Sequence, residues 1–150
     1  MQKKILFAFI FLVSFVFYSC DEQDADNYTH EHFEPTRWVF ELNGEAYLEI
    51  NNGFITNNFN SEILLYSADT TNIFKIVFYD ESGQKINLHE DNNISWKVDN
   101  GSIIKIEKLD DKDQKFSIKG LKVGDTKITF YINHGDHSDI TSPPILISIK

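Results

Sequence analysis

The sequence predicts an all-β fold, an antiparallel β-sandwich that follows a signal peptide and a flexible tether. Apolar and polar residues alternate over short stretches, most clearly at Ile128/Phe130/Ile132 and at Ile145/Ile147/Ile149. Turn residues such as Asn43-Gly44 separate these stretches, at the spacing of roughly 8–12 residues that is typical of sandwiches. No stretch after residue 36 carries an apolar stripe over three helical turns. A single sandwich domain is therefore predicted for residues 37–150.

The predicted strands begin with a hairpin. Trp38–Leu42 and the alternating residues Ala46, Leu48 and Ile50 flank Asn43-Gly44, and both central positions of a type I′ turn need a positive φ. Two short strands are expected within residues 54–66, where the alternation is less regular. The clearest later strands are predicted at Ile73–Tyr79, Ile94–Val98, Thr126–Ile132 and Ile145–Lys150.

Aromatic side chains alternate along these strands and are predicted to fill the core rather than to form a sugar platform. The residues in question are Trp38, Phe40, Phe78, Trp96 and Phe130. Trp96 is expected on a central strand, packed against residues such as Phe130. Tyr47, Tyr79 and Tyr131 fall on the opposite faces of their strands. They leave a glycan- or protein-binding face as an alternative function.

Two motifs carry a family resemblance. Residues 120–130, Gly-Leu-Lys-Val-Gly-Asp-Thr-Lys-Ile-Thr-Phe, resemble the penultimate strand of bacterial immunoglobulin-like domains, the Big-type modules of surface proteins. Ile94-Ser-Trp-Lys-Val98 resembles the Trp-bearing third strand of that family. The resemblance covers about residues 70–150 and implies an immunoglobulin-like sandwich. It also implies that the N-terminus, the connection before the third strand of the family and the connection before its last strand all lie at one end of the sandwich.

Residues 1–19 are predicted to be a lipoprotein signal peptide. Lys3 and Lys4 precede an apolar run that extends to Tyr18, which is the charge arrangement of a secretory signal. The run ends in Phe17-Tyr-Ser-Cys20, which resembles the lipobox of bacterial lipoproteins, with Phe17 where Leu is usual. The resemblance implies that Cys20, the only cysteine, carries a lipid anchor. A stray cysteine at the end of a cleaved or uncleaved segment is the alternative.

Residues 20–36 are predicted to be an acidic, histidine-bearing tether. They are polar and have no apolar period, as is typical of flexible linkers. The acidic run after Cys20 resembles export signals that carry some lipoproteins to the outer face of the outer membrane; a hydrated spacer is the alternative. We expect a cell-envelope, outer-membrane lipoprotein, facing either the periplasm or the cell surface.

The charge and the single cysteine exclude several kinds of protein. The formal net charge is −9, and loss of Lys3 and Lys4 with the signal peptide would bring it to about −11. Because an acidic surface repels phosphate backbones, no nucleic-acid partner is expected. A thiol nucleophile and a glycine-rich phosphate loop are also excluded. The chain is therefore predicted not to be an enzyme.

Histidines supply the predicted chemistry. His134 and His137 stand three apart around Gly135, close enough to share one ion, and Asp136 or Asp139 is expected to ligate the ion or to orient a ring. His30 and His32 on the tether are candidates for further ligands. The strand order implied by the resemblance brings these four histidines and His89 to one pole of the domain.

The predicted function is binding of a divalent transition metal, zinc, copper or nickel, by this histidine cluster. The partners that we expect are the membrane, through the lipid anchor, and an envelope transporter or a surface protein. A polar loop with incidental histidines is the alternative, since His-x-x-His is a weak pattern. The chain would then be a plain immunoglobulin-like surface module for protein or glycan contact.

Overall fold

The computed structural model describes residues 33–110 and 114–150, which form twelve β-strands. In chain order these are β1 (Arg37–Leu42), β2 (Glu45–Asn51), β3 (Phe54–Ile55), β4 (Glu62–Leu65), β5 (Thr71–Tyr79), β6 (Lys85–Ile86), β7 (Asn92–Val98), β8 (Ile104–Asp110), β9 (Lys115–Gly120), β10 (Gly124–His134), β11 (His137–Thr141) and β12 (Ile145–Ile149). Within these two ranges no helix is long and apolar enough to cross a membrane. The all-β prediction is confirmed.

The strands form two sheets. The first has the order β3-β2-β1-β5-β9-β8, with β6 beside β5, and the second has the order β11-β10-β12-β4, with β7 on the other edge of β10. All described strand pairs are antiparallel except β4 and β12. The groups β1-β5-β9-β8 and β7-β10-β12 correspond to the two sheets of an immunoglobulin constant-type sandwich. The β1–β2–β3 unit extends the first sheet.

Inward-facing side chains from both sheets form one core. The predicted sets Ile128/Phe130/Ile132 and Ile145/Ile147/Ile149 are all buried, which confirms their alternation. Phe40 of the first sheet and Phe130 of the second lie with their ring centroids 5.3 Å apart. Such aromatic pairs stabilise a core beyond the area that they bury.

The first hairpin has the turn that its sequence predicts. Asn43 and Gly44 adopt φ values of 56° and 83°, so both central positions lie in the left-handed region that a type I′ turn requires. Asn52 and Gly53 repeat this arrangement between β2 and β3, with φ values of 48° and 79°. Asparagine and glycine tolerate this region best.

A β-bulge in β2 corrects two of the predicted side-chain directions. Phe40 pairs with Leu48 and Glu41 pairs with Ala46, so Tyr47 is the extra residue. Tyr47 packs against Phe74 at 5.6 Å between ring centroids, and Ala46 is exposed. Alternation placed Ala46 inward and Tyr47 outward, but a bulge shifts the facing by one residue. Tyr47 is therefore not part of an outer tyrosine face.

Trp96 does not lie on a central strand, contrary to the prediction. Its strand β7 pairs only with β10 among the described strands, so β7 is an edge of the second sheet. The indole is half-buried rather than enclosed, with Phe116 and Phe130 at 6.5 and 6.4 Å between ring centroids. Alternation shows which face a residue occupies, but strand position within a sheet depends on distant pairing. The other four predicted core aromatics are buried.

The turn after β5 is held by a side chain. Asp80 accepts hydrogen bonds from Ser82 Oγ at 2.7 Å and from the Gln84 backbone N–H at 2.9 Å. The bond from Ser82 and, next, that from Gln84 hold the pKa of Asp80 below its ordinary value, because both favour the charged carboxylate. This is the turn that Asp80–Gly83 predicts.

Candidate functional site

The histidine pair lies at the tip of a β-hairpin rather than in a loop. The predicted strands end at Ile132 and resume at Ile145, but β10 extends to His134 and β11 begins at His137. The two residues between them form the turn, and Gly135 has a φ of +56° at its first position. That position is occupied by glycine in type II′ hairpin turns.

Tertiary pairing explains why this segment becomes a strand. β12 covers only the first part of β10, from Gly124 to Ile128. The free edge of Tyr131–His134 is then available, and β11 pairs with it. The composition of His137–Thr141 resembles that of a loop because backbone pairing makes most of this contact, and only Ile140 packs against the core.

The register places His134 directly opposite His137. Directly opposed residues share one face of a sheet, and the centroids of these two imidazole rings are 5.8 Å apart. A bulge in β11 then brings in the carboxylate. Ile132 pairs with Ile140 and Asn133 pairs with Ser138, so Asp139 is the extra residue. Bulges commonly re-aim a side chain in this way.

The three side chains offer ligand atoms that lie within 4.8 Å of one another. Two ligands that each sit about 2.1 Å from one ion are at most about 4.2 Å apart. The group is therefore slightly wider than a closed site, and His137 is its exposed member. His134, His137 and Asp139 can hold a metal.

Asp139 is the unusual member of the group. Its side chain is only 7% exposed, and Oδ1 lies 3.0 Å from Nε2 of His137. The other carboxylate oxygen, Oδ2, is buried and has no hydrogen-bond partner among the described residues. Leaving a charged acceptor buried and unpaired is costly. Asp139 therefore holds a buried acceptor that no described residue satisfies.

The remaining predicted site residues have other positions. Asp136 lies in the exposed turn and is not one of the three residues whose ligand atoms converge. His30, His32 and Cys20 lie outside the described residues. His89 is exposed and its ring centroid lies 6.1 Å from that of Phe33.

The predicted pole is present for the three histidines that the structure describes. The His89 carbonyl accepts a hydrogen bond from the Asn92 N–H, and Asn92 is the register partner of His134. His89 therefore lies at the same end of the second sheet as the hairpin tip. It does not belong to the converging group.

No family model matches the chain, and no curated protein matches it either. Among solved structures, domains 4 and 5 of the S-layer protein SbsC align over 77% of this chain and 53% of that one, with 12% identity and a TM-score of 0.42. Domains 5–6 of the same protein align over 61% of this chain and 40% of that one, with 14% identity and a TM-score of 0.43. The chain thus spans about half the length, or less, of the solved structures to which it is similar.

Proposed function

We propose that this protein binds a divalent transition metal through His134, His137 and Asp139, without catalysis, as a lipid-anchored protein of the cell envelope. The observation that carries the proposal is the buried, unpartnered Oδ2 of Asp139 beside two imidazoles. A cation would compensate the buried negative charge and be ligated by both rings. A group of surface histidines with no ligand would not require a carboxylate that is 7% exposed.

The donor set favours a particular class of metal. Two imidazole nitrogens and one carboxylate oxygen suit zinc, copper(II) and nickel(II). Calcium and magnesium instead favour sites made wholly of oxygen ligands. The proposed ion is therefore a transition metal of the zinc, copper or nickel type.

The exposure of the site favours binding or transfer over catalysis. The side chain of His137 is 66% exposed, and the group lies at a hairpin tip. Catalytic metal sites use a dry, shaped cavity. A three-ligand site in solvent leaves a coordination position open to a group from elsewhere. We propose His30 or His32, or a residue of an envelope transporter, as that group.

The metal proposal is tested by titrating the purified full-length chain, kept in detergent, with zinc, copper(II) and nickel(II). A ligand at a hundred times its Kd adds about 2.7 kcal/mol to the free energy of unfolding when it binds only the folded state. We expect calorimetric binding and a raised melting temperature for at least one of these ions. The double variant His134→Ala/His137→Ala should lose both signals.

His89→Ala is the matched control, because His89 is an exposed histidine at the same end outside the converging group. It should keep the metal response of the wild type. Equal responses of the wild type and the double variant, or none at micromolar ion, would refute the proposal. The plain surface module would then be the better function.

The anchor is tested separately with a fatty-acid analogue. Because Cys20 follows the lipobox-like Phe17-Tyr-Ser, the wild type should incorporate the analogue and Cys20→Ser should not. Absence of label in the wild type would contradict lipidation and leave the metal proposal unaffected.

A further inference from the structure

A cleft of about 260 Å³ lies between the edge strand β7 of one sheet and the β8–β9 hairpin of the other. Its floor is apolar and includes Ile94, Trp96 and Phe116. Its rim carries amide and charged groups, among them Asn92, Asn93 and Glu90. An apolar floor with a few polar groups at the rim is the usual composition of a small-molecule site.

Trp96 forms a rigid aromatic platform in this cleft. Phe116 packs against it from the first sheet, tilted by 35°, and Phe130 meets it edge-on from its own sheet, at 66°. The indole is held by both aromatic neighbours and is still half-exposed at the cleft. A buried core tryptophan such as Trp38, which is 3% exposed, offers no such surface.

Asn92 supplies an amide on the cleft side of β7, because Asn92, Ile94 and Trp96 alternate onto one face of that strand. Asn93 and Ser95 lie on the opposite face, where Asn133 Nδ2 donates to both of their side chains. Asn92 Nδ2 donates to the Asn133 carbonyl at 3.4 Å, so the oxygen of Asn92 is its remaining acceptor. The cleft therefore offers the amide of Asn92 on the same face of β7 as the indole of Trp96.

We propose that this cleft binds one ring of a neutral saccharide. A pyranose has an apolar C–H face, which stacks on an aromatic side chain, and vicinal hydroxyls that both donate and accept hydrogen bonds. Trp96 supplies the first contact, and the amide of Asn92 supplies the second. The cleft volume is below the roughly 300–1,000 Å³ of drug-sized sites, which fits one ring of a longer chain.

The net charge of the chain disfavours a polyanionic ligand. Glu90, Lys108 and Lys115 place both signs at the cleft, and the chain as a whole carries a formal charge of −9. A polyanionic polysaccharide would be repelled by that net charge. The inference does not depend on metal binding, because none of the cleft residues belongs to the His134/His137/Asp139 group.

The proposal is tested with neutral hexasaccharides of glucose, mannose and N-acetylglucosamine, each titrated into the full-length chain. The detergent has no sugar headgroup, and a chelator is present so that metal binding does not contribute. We expect calorimetric binding of at least one hexasaccharide. Since the chain has two tryptophans, Trp38→Phe leaves Trp96 as the only indole, and its fluorescence should change on binding.

Trp96→Ala should weaken binding by about tenfold or more, as the loss of a central aromatic contact does. Asn92→Ala, on the cleft side of β7, should also weaken it, and this variant decides the question if Trp96→Ala does not fold. Tyr66→Ala is the matched control, because Tyr66 is 79% exposed and lies outside the cleft. It should leave binding unchanged.

Two results would overturn the proposal. One is the absence of binding by all three hexasaccharides. The other is a Trp96 response to a tryptophan-free gelatin digest and not to the sugars, which would assign the cleft to peptides.

Discussion

One edge of strand β10 pairs with two different strands, one along its first half and the other along its second half. Its first half, Gly124–Ile128, pairs with β12, whose residues Ile145, Ile147 and Ile149 are all buried. Its second half, Tyr131–His134, pairs with β11, which is mostly polar and carries His137 and Asp139. Burial of apolar area is the main stabilising contribution in folding. On this edge, apolar side chains therefore stabilise the first pairing, whereas the polar side chains of β11 leave the second pairing available for chemistry.

The boundary between the halves is a short interruption. Ser142 is buried, and its Oγ accepts a hydrogen bond from the Phe130 N–H at 2.9 Å. Pro143 and Pro144 follow it and have no N–H to donate to a neighbouring strand. The Ser142 N–H also donates to the Phe130 carbonyl at 2.9 Å, so Ser142 keeps both backbone groups of Phe130 paired between the two strand pairings. The two halves of β10 can differ in function because each half pairs with a different strand on this edge.

The largest expected difference is in stability. Ile147→Ala in β12 should lower the free energy of unfolding by about 2–5 kcal/mol, because Ile147 is fully buried. Ile140→Ala in β11 should cost less than half as much, since Ile140 is only partly buried. Urea denaturation of both variants measures this. Equal losses would show that the second half is as structural as the first.

The second expected effect concerns metal and pH. Imidazoles must be neutral to ligate a metal, and a histidine side chain ordinarily titrates near pH 6.5. Protons then compete with the ion, so the stabilisation of about 2.7 kcal/mol at a hundred times the Kd should shrink as the pH falls from 7.5 to 5.5. Melting curves with and without zinc at several pH values test this. A zinc-dependent rise in melting temperature that is the same at every pH would contradict ligation by His134 and His137.

The third concerns the turn that brings the two histidines together. Gly135 has a φ of +56°, and an L-residue in that region costs roughly 1–2 kcal/mol. Gly135→Ala should destabilise by about that amount and weaken metal binding. Gly101→Ala is the control, since Gly101 has open space around it and no positive φ. Its unfolding free energy should stay close to that of the wild type.

The smallest expected effect has an unusual sign. Asp139→Asn removes a buried charge whose Oδ2 has no partner, and it keeps an oxygen able to accept from His137. Without metal, the variant should be as stable as the wild type or more stable by up to about 1 kcal/mol. Zinc should raise the free energy of unfolding of the variant by less than it raises that of the wild type. A variant that is clearly less stable without metal would show that Asp139 is structural.

Local patterns predicted most of the sandwich. The alternation of Ile128/Phe130/Ile132 and Ile145/Ile147/Ile149 predicts their buried faces, and Asn43-Gly44 predicts its turn. These features depend on side-chain period and on φ, which neighbouring residues determine. The bulge at Tyr47, between the pairs Phe40–Leu48 and Glu41–Ala46, was not predictable. The alternation of apolar and polar residues does not indicate where an extra residue interrupts the pairing.

The candidate site was predicted only in part. His134, His137 and Asp139 are close in sequence, so their type and spacing pointed to a metal. That they share one face depends on the register of β10 and β11, and on the bulge at Asp139. Burial of Asp139 and the loss of a partner for Oδ2 depend on residues packed around the hairpin. No local pattern contains that information.

The sequence by itself determined most of the strands, the turns between them, the acidic charge and the types of ligand that the chain offers. Tertiary structure decided which strands become edges and which side chains converge. Trp96 illustrates the difference, since its alternation predicts an inward side chain, while the edge position of β7 leaves the indole half-exposed in a cleft. The physical reason is that period and turn chemistry act between neighbours in the chain, whereas pairing and burial act between residues that are distant in sequence.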